Sequence, residues 1–463
     1  MVDLVLSRPG LTSKAEKYWS YNLPLGLGYL ASYAQKHNIS IKIIDGKLSG
    51  HLSIEKTIQA ILSCHPRYVG ISTITVDFPM AEEIAEKLKQ RSKDLVIILG
   101  GPHINALPVQ SLKESPHVDY VITGQAEKSL AELVLCLKDK TCISGINGLY
   151  YKDSQGEIFG NEALPPNEDL SVLPFPAWSL FPKRSFYPIM TERGCPYYCV
   201  FCSNNMSHTI RSRPVEHVME EIKWLNKEFG ARHISFEDET FGLNPERTED
   251  LLKKIIPFNK DLEITFGAQT RVNCITESLV ALMKKTGFNY ISLGIESGDP
   301  TVLSRSGKGI SLEQVDAAVN LVRKAGLKTW LKFIIGLPGE TAQSVKNTIQ
   351  LASRLNPERF SAATIVAYPG STIYKWAREK KNGYRLLSDR WDKYDKYLSS
   401  SVELETLSIL QMKRLQIQMI LQVYLFNFRF RELFQIIKRN FAAIPIMLLN
   451  LVMSLFTSKT RRG

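Results

Sequence analysis

The sequence predicts an α/β protein with three parts: an N-terminal doubly wound parallel sheet, a partial (β/α)6 barrel and a helical C-terminal tail. Three observations lead there. Short apolar runs alternate with amphipathic stretches over residues 1–140. A second alternating series recurs from 187 to about 370 at intervals of roughly 30 residues, the length of one βαβ unit. Between them lies a proline-rich stretch without periodicity. The predicted boundaries are 1–140 for the sheet domain, 141–186 for a linker, 187–375 for the barrel and 376–463 for the tail.

The first strands are read at 2–6 (VDLVL), 39–44 (ISIKII), 68–73 (YVGIST), 95–100 (LVIILG) and 118–122 (VDYVI). Each is a continuous apolar run of the kind a parallel strand buried on both faces requires. Residues 79–91, PMAEEIAEKLKQR, carry Met80, Ile84 and Leu88 on one helical face. Strand alternating with helix implies a doubly wound sheet, whose ligands bind at the carboxyl ends of the strands. Those ends are Ser72-Thr73, Gly100-Gly101-Pro102-His103 and Gly124-Gln125. Residues 152–188 hold six prolines and read as an ordered linker across a domain boundary.

The barrel strands are placed near 187–192, 233–237, 263–267, 290–294, 329–335 and 360–366. Pro214 falls in a first helical turn, followed by Val215, Val218, Met219, Ile222 and Leu225 at helical spacing. Ser311 and Gln314 form a capping-box pattern ahead of a helix that Gly326 stops. Six units favour a partial barrel over a closed eightfold one, with the site at its carboxyl-end face.

Composition fits a folded globular chain, at 463 residues with 44% hydrophobic and 22% charged. The start, MVDLVLSRPG, reads as a strand, with no basic region followed by an apolar one, which argues against a secretory signal and for the cytoplasm. The net charge is +12, and the stretch from 404 onward carries nine Lys or Arg against Glu405 and Glu432, a net of +7. Because that tail is also apolar, an anionic membrane surface explains it better than nucleic acid does. Residues 441–456, FAAIPIMLLNLVMSLF, are uncharged but interrupted by Pro445 and short for a roughly 30 Å hydrocarbon core. With 424–439, they read as an anchor lying in the interface, or as helices packed on the barrel. A lipid-like substrate is consistent with either.

Cys195, Cys199 and Cys202 make a C-x3-C-x2-C pattern, while Cys64, Cys136, Cys142 and Cys274 are scattered and are assigned to packing. A structural zinc site needs four ligands, and only His208 is near enough to complete one. A redox pair of Cys199 and Cys202 leaves Cys195 idle. Iron–sulfur ligation uses all three and leaves one iron open.

This cysteine pattern, with Phe201 before its last cysteine, resembles the signature of the radical S-adenosylmethionine (SAM) superfamily. Five strand-end segments resemble the same family: SFEDETF (235–241), GAQTRVN (267–273), GIESGD (294–299), IIGLPGET (334–341) and AYPGST (367–372). Upstream, LPLGLGYLASYAQKHNISIKIIDG (23–46), VGISTITVDFPMA (69–81), LGGPH (99–103), VITGQAE (121–127) and the linker's LPFPAW resemble the class with an N-terminal cobalamin (B12)-binding, Rossmann-like domain. No D-x-H-x-x-G occurs, so the histidine that replaces the base beneath cobalt is missing.

The resemblance implies three cofactors: a 4Fe–4S cluster on Cys195, Cys199 and Cys202, SAM chelated to its open iron, and base-off cobalamin. It places Glu237, Asp238 and less strongly Glu239 near the methionine amino group, Arg271 near its carboxylate and Glu296 and Ser297 near the ribose. Phe201, Gly336 and Gly339 fall near the adenine. Ser72, Thr73, Gly100, Gly101, His103 and Gly124 would line the corrinoid site. The implied chemistry begins with one electron from a donor such as flavodoxin or ferredoxin, which cleaves SAM to methionine and a 5′-deoxyadenosyl radical. That radical takes a hydrogen from an unactivated carbon, methylcobalamin supplies the methyl, and a second SAM restores it. The rivals are an oxidative cyclase of the tetrapyrrole type, a methylthiotransferase and a non-catalytic cobalamin or SAM sensor. Cys64, Cys136 and Cys142 lack the spacing for the second cluster of a methylthiotransferase, and the intact triplet opposes a sensor.

Overall fold

A computed structural model of the chain describes residues 2–10, 23–48, 53–163, 169–203, 207–395 and 401–439. Two compact units are distinguished. One comprises Met1–Pro196, Ser203–Glu239 and Lys253–Phe266, the other Tyr197–Cys202, Thr240–Leu252 and Gly267–Gly463.

The first unit opens with β1 (Leu4–Arg8), α1 (Leu25–Lys36), β2 (Ile41–Asp45), α2 (Ile54–Leu62), β3 (Tyr68–Ser72), α3 (Phe78–Arg91), β4 (Val96–Gly100), α4 (Pro102–Ala106), α5 (Pro108–Glu114), β5 (Tyr120–Ile122) and α6 (Glu127–Asp139). Two further strands follow, β6 (Leu149–Lys152) and β7 (Ile158–Gly160). The sheet order is β2-β1-β3-β4-β5-β6-β7, its first five strands parallel and the last two antiparallel. Val5, Val69, Ile97, Leu99 and Val121 are fully buried, because helices cover both faces of such a sheet. Strand order reverses at β1 and β3, which opens a crevice at their carboxyl ends.

β6 and β7 lie inside the stretch read as linker. Their cross-strand rings explain the pairing: Tyr120, Tyr151 and Phe159 stand in a row with centroids 6.2 and 6.0 Å apart.

The same unit continues into the barrel with β8 (Phe186–Ile189), a small ribbon of β9 (Glu192–Arg193) and β10 (Arg211–Ser212), α7 (Val215–Phe229) and β11 (His233–Phe236). β8 and β11 pair in parallel. Val218, Ile222 and Leu225 of α7 are completely buried, as their spacing predicts. α8 (Pro245–Asn259) and β12 (Thr265–Thr270) cross the boundary between the units.

The second unit holds α9 (Glu277–Thr286), β13 (Phe288–Glu296), α10 (Pro300–Arg305), α11 (Leu312–Lys324), β14 (Lys328–Ile335), α12 (Ala342–Leu355) and β15 (Arg359–Thr364). The barrel sheet therefore has six strands in the order β15-β14-β13-β12-β11-β8. The capping box of α11 is formed: Gln314 N donates to Ser311 Oγ, and Ser311 N donates to Gln314 Oε1 at 2.9 Å.

After α13 (Thr372–Glu379) come a hairpin of β16 (Tyr384–Leu386) and β17 (Val402–Leu404), α14 (Ile409–Phe426) and α15 (Phe430–Arg439). α14 packs against β15 and α12 through buried Met412, Met419 and Val423, and Gln416 Nε2 donates to Ala362 O at 2.7 Å. Beyond it Phe426, Phe428, Phe430 and Phe434 are 56–81% exposed. Among the described residues no helix is long and apolar enough to cross a membrane, and the apolar run 441–456 lies outside them.

Candidate functional site

At the carboxyl edge of the first sheet, two residues set the shape of the crevice. Gly101 adopts φ 102° and ψ −179°, and a Cβ there would stand 2.6 Å from Thr73 O. Only glycine fits so close a crossing of two backbones. The crossing is fastened by Thr73 N donating to Gly100 O at 2.9 Å. Gly124, at φ 77°, donates its N–H to Asn105 Oδ1 at 2.9 Å. Lys47 and Asp77, both buried, pair at 2.8 Å behind this edge.

Ser72, Thr73, Gly100, Gly101 and Gly124 thus share one edge. His103 begins there but turns inward: it is 1% exposed, its ring lies 4.3 Å from that of Phe78, and Nδ1 is 3.3 Å from Thr75 Oγ1. Burial drives its pKa down to about 4, so the ring is neutral at physiological pH. The cause is the preceding Gly101-Pro102 turn, which starts α4 and points His103 into the core.

The cysteine loop leaves β8. In the first unit, Asp238 is buried and holds the loop's root, accepting from Thr191 N at 2.6 Å, Thr191 Oγ1 at 2.6 Å and Glu192 N at 3.1 Å. Desolvation nevertheless raises its carboxyl to about 7. Gly194, at φ 102°, leaves no room for a Cβ, which would fall 2.2 Å from Thr209 O. Its N–H donates to Glu239 Oε2 at 3.2 Å. Cys195 donates its N–H to Ser207 O at 3.1 Å, and its carbonyl lies 3.1 Å from His208 Nδ1. Glu237 is exposed and accepts from Ser235 Oγ at 2.6 Å.

In the second unit, Val200 N donates to Ser306 O and Ile373 N to Val200 O, which holds the backbone beside half-buried Phe201. Arg271 is 5% exposed and lies flat on Tyr197, its guanidinium carbon 3.5 Å from the ring centroid. It donates to Cys199 Sγ at 3.6 Å, to Asn273 Oδ1 at 3.2 Å and to Lys308 O. Glu296, in a left-handed conformation at φ 70°, pairs with Lys308 Nζ at 2.6 Å, both buried. Ser297 is wholly buried, with Oγ 3.2 Å from Thr348 Oγ1. Gly336, at φ 104°, donates its N–H to Glu340, which also accepts from Leu337 N at 3.2 Å. Burial raises Glu340 to about 8.

Several residues read as SAM contacts also have partners within the protein. Asp238 fixes the loop root, Arg271 grips the loop itself, Glu296 holds Lys308, and Ser297 packs on α12. Glu237 and Glu239 are the exposed carboxylates of this segment, Glu237 accepting from Ser235 Oγ and Glu239 from Gly194 N. Sequence reading missed Arg193, Lys308 and Glu340; each is a charged residue directly beside a glycine, and that was the signal. Among the described residues no group of three His, Cys, Asp or Glu side chains is gathered closely enough to hold a metal ion. The donor set still suits an iron–sulfur cluster: three thiols on one loop, with a guanidinium N–H donated to one sulfur.

A parallel sheet with a glycine-walled carboxyl edge is followed in this chain by a partial barrel with three thiols on one loop, a donor set of the kind iron–sulfur enzymes use. The B12 binding domain family matches residues 16–134 and the radical SAM superfamily matches residues 189–352. An uncharacterized methyltransferase of Pyrococcus horikoshii is 34% identical over 380 residues, covering 80% of this chain and 81% of that one. An anaerobic magnesium-protoporphyrin IX monomethyl ester cyclase of Rubrivivax gelatinosus is 28% identical, covering 77% of this chain and 66% of its own. Among solved structures, the radical SAM methyltransferase TsrM of Kitasatospora setae, with cobalamin and a 4Fe–4S cluster bound, superposes with a TM-score of 0.71 at 17% identity, covering 87% of this chain and 83% of that one. The chain belongs to the radical SAM superfamily, in the class whose barrel follows a B12-binding domain. It is an enzyme of that class, whose cofactors are a 4Fe–4S cluster, SAM and cobalamin.

Proposed function

We propose that the protein is a cobalamin-dependent radical SAM methyltransferase acting on an unactivated carbon of a small or lipid-like molecule. The observation that carries this is the pairing, in one chain, of a three-cysteine barrel loop with a parallel sheet whose carboxyl edge is walled by Ser72, Thr73, Gly100, Gly101 and Gly124. The 34% identity to a methyltransferase supports it.

When bound, cluster and SAM supply the radical that removes a substrate hydrogen, and the corrinoid supplies the methyl group. The chain binds, orients and shields. Cys195, Cys199 and Cys202 would hold the cluster and leave one iron for the amino and carboxylate groups of SAM. Glu237 or Glu239 would accept hydrogen bonds from the amino group. The backbone at Phe201 and Gly336 would face the adenine. Asp238 and Arg271 keep the cysteine loop in place before any cofactor arrives, the positioning that lets a reactive radical meet one hydrogen and exclude water.

The test is anaerobic reconstitution with iron, sulfide and hydroxocobalamin, followed by turnover with SAM. Methylation releases S-adenosylhomocysteine together with 5′-deoxyadenosine. Cluster loading without corrinoid uptake would sink the reading. The 28% identity to an anaerobic cyclase favours a second reading, ring formation, in which 5′-deoxyadenosine accumulates and S-adenosylhomocysteine does not.

The setting proposed is the cytoplasm, with flavodoxin or ferredoxin as electron donor, no nucleic acid, and peripheral membrane contact through the tail. The exposed Phe426, Phe428, Phe430 and Phe434 and the basic excess after 404 support the last point. Flotation with vesicles containing phosphatidylglycerol, but not with pure phosphatidylcholine, is the expected result; no flotation with either excludes it.

A further inference from the structure

We propose that Arg193 is a positioning residue that couples the corrinoid edge of the first sheet to the cysteine loop, so that loading one cofactor site strengthens binding at the other. This rests on reading those two places as the cobalamin and cluster sites. Arg193 stands two residues before Cys195, yet its side chain reaches away from the thiols. Nη1 donates to Gln125 Oε1 at 2.8 Å and Nη2 to Glu127 Oε1 at 2.6 Å. Gln125 follows Gly124 at the end of β5, and Glu127 opens α6. Nε donates to Met190 Sδ at 2.9 Å, and the guanidinium carbon lies 5.3 Å from the Tyr29 ring of α1. The ion pair is 14% exposed at Arg193 and 9% at Glu127.

The backbone on either side of Arg193 has little slack. Asp238 accepts from Thr191 N and Glu192 N, Glu239 accepts from Gly194 N, and Ser207 O accepts from Cys195 N. A guanidinium held at two nitrogens by two neighbouring side chains is a rigid fork, because each charge-assisted bond is short and directional. A shift of the β5–α6 loop on corrinoid binding therefore moves the backbone that carries Cys195. A displacement of Cys195 by the cluster moves Gln125 and Glu127 in return. Coupling between two such sites is reciprocal.

The experiment titrates hydroxocobalamin anaerobically into full-length protein, once cluster-free and once reconstituted, and reads the ratio of the two dissociation constants. In the native chain cluster loading tightens binding by about 5-fold or more, the lower end of ordinary coupling. In the double variant Arg193→Met with Glu127→Gln, which leaves no buried charge unpaired, the ratio falls to within about 2-fold of unity. Its cluster-free affinity and its iron content stay unchanged, which simple loss of structure would not permit. Arg193→Lys keeps the ion pair but loses the fork and gives an intermediate ratio; a lysine ratio no better than that of the double variant overturns the fork. A double variant that keeps the native ratio, or a native ratio near unity, also overturns the proposal. A native chain that binds no hydroxocobalamin at all overturns instead the reading on which it stands.

Discussion

Replacing Gly101 with alanine tests the crevice at its narrowest point. The backbone there, at φ 102° and ψ −179°, lies in a region essentially reserved for glycine, and another residue held in it costs on the order of 1–3 kcal/mol. The new Cβ would stand 2.6 Å from Thr73 O and 2.9 Å from Thr73 N. Both are backbone atoms that cannot swing aside, so overpacking adds about 1–3 kcal/mol. The combined loss is about 2–6 kcal/mol. Gly156 is the control, at φ 86° with nothing within 4 Å of its added Cβ; its alanine variant carries only the conformational cost, about 1–2 kcal/mol. A chain of two units need not unfold in one step, so calorimetry should follow the transition of the first unit. At about 2–4 °C per kcal/mol, Gly101→Ala lowers that midpoint by about 4–24 °C and Gly156→Ala by about 2–8 °C. Hydroxocobalamin binding weakens at least ~10-fold in the first variant, a loss of about 1.4 kcal/mol or more, and is unchanged in the second. Equal midpoints and equal affinities for the two would refute the argument that Gly101 shapes this site.

Alanine at Cys195, Cys199 or Cys202 abolishes cluster loading and SAM cleavage while leaving the melting temperature close to native, since all three are at least partly exposed; iron analysis and far-UV circular dichroism check this. Arg271→Met removes the donor to Cys199 Sγ and the support of Lys308 O, so SAM cleavage falls by about 100-fold or more and the electron paramagnetic resonance of the reduced cluster broadens; native spectra and rates would show that the loop holds without it. Burial raises Glu340 to about 8 from 4.5, so between those values the folded chain keeps a proton that the unfolded chain has released. Stability tied to this group is therefore full below about pH 4.5 and is lost as pH rises through 8. Glu340→Gln lessens the dependence of the melting temperature on pH across that window, leaving the slopes of the other raised carboxyls, Asp238, Glu82 and Glu221, and the opposing one of His103; a variant as pH-dependent as the native chain counts against the assignment.

Much of the fold was legible because its strands are runs such as LVIILG, buried on both faces, which only a covered parallel sheet accommodates. β6 and β7 were not legible. Apart from buried Leu149 their residues are half-buried or exposed, and what makes them strands is a row of rings contributed partly by Tyr120, far off in sequence. The three cysteines stand out in the sequence as a set because they fall within eight residues while the other four are scattered. The direction of the acidic side chains was not. In Glu237-Asp238-Glu239 all three are carboxylates, and only the alternation of the chain beyond β11 buries the middle one against Thr191 and leaves its neighbours exposed. The burial of His103 was not legible either, since it follows from Pro102 starting a helix that carries the ring inward.

Within GIESGD, Glu296 also belongs to a chain of contacts inside the protein. Glu296 bears a left-handed backbone at φ 70°, which costs a residue with a side chain on the order of 1–3 kcal/mol and persists only where the surroundings fix it. Its carboxylate meets Lys308 at 2.6 Å, the Lys308 carbonyl accepts from Arg271, and Arg271 donates onward to Cys199 Sγ while lying on Tyr197. The segment therefore acts on the cysteine loop through two basic residues. Removing either end of the Glu296–Lys308 pair leaves a buried charge without its partner, which costs about 3–5 kcal/mol, and it also frees the carbonyl that aims Arg271. Lys308→Met together with Glu296→Gln removes both charges and separates the two effects: if the loop is held through this chain, the double variant folds but takes up iron more slowly than the native protein. Native uptake would mean that Arg271 keeps its place without the Glu296–Lys308 ion pair.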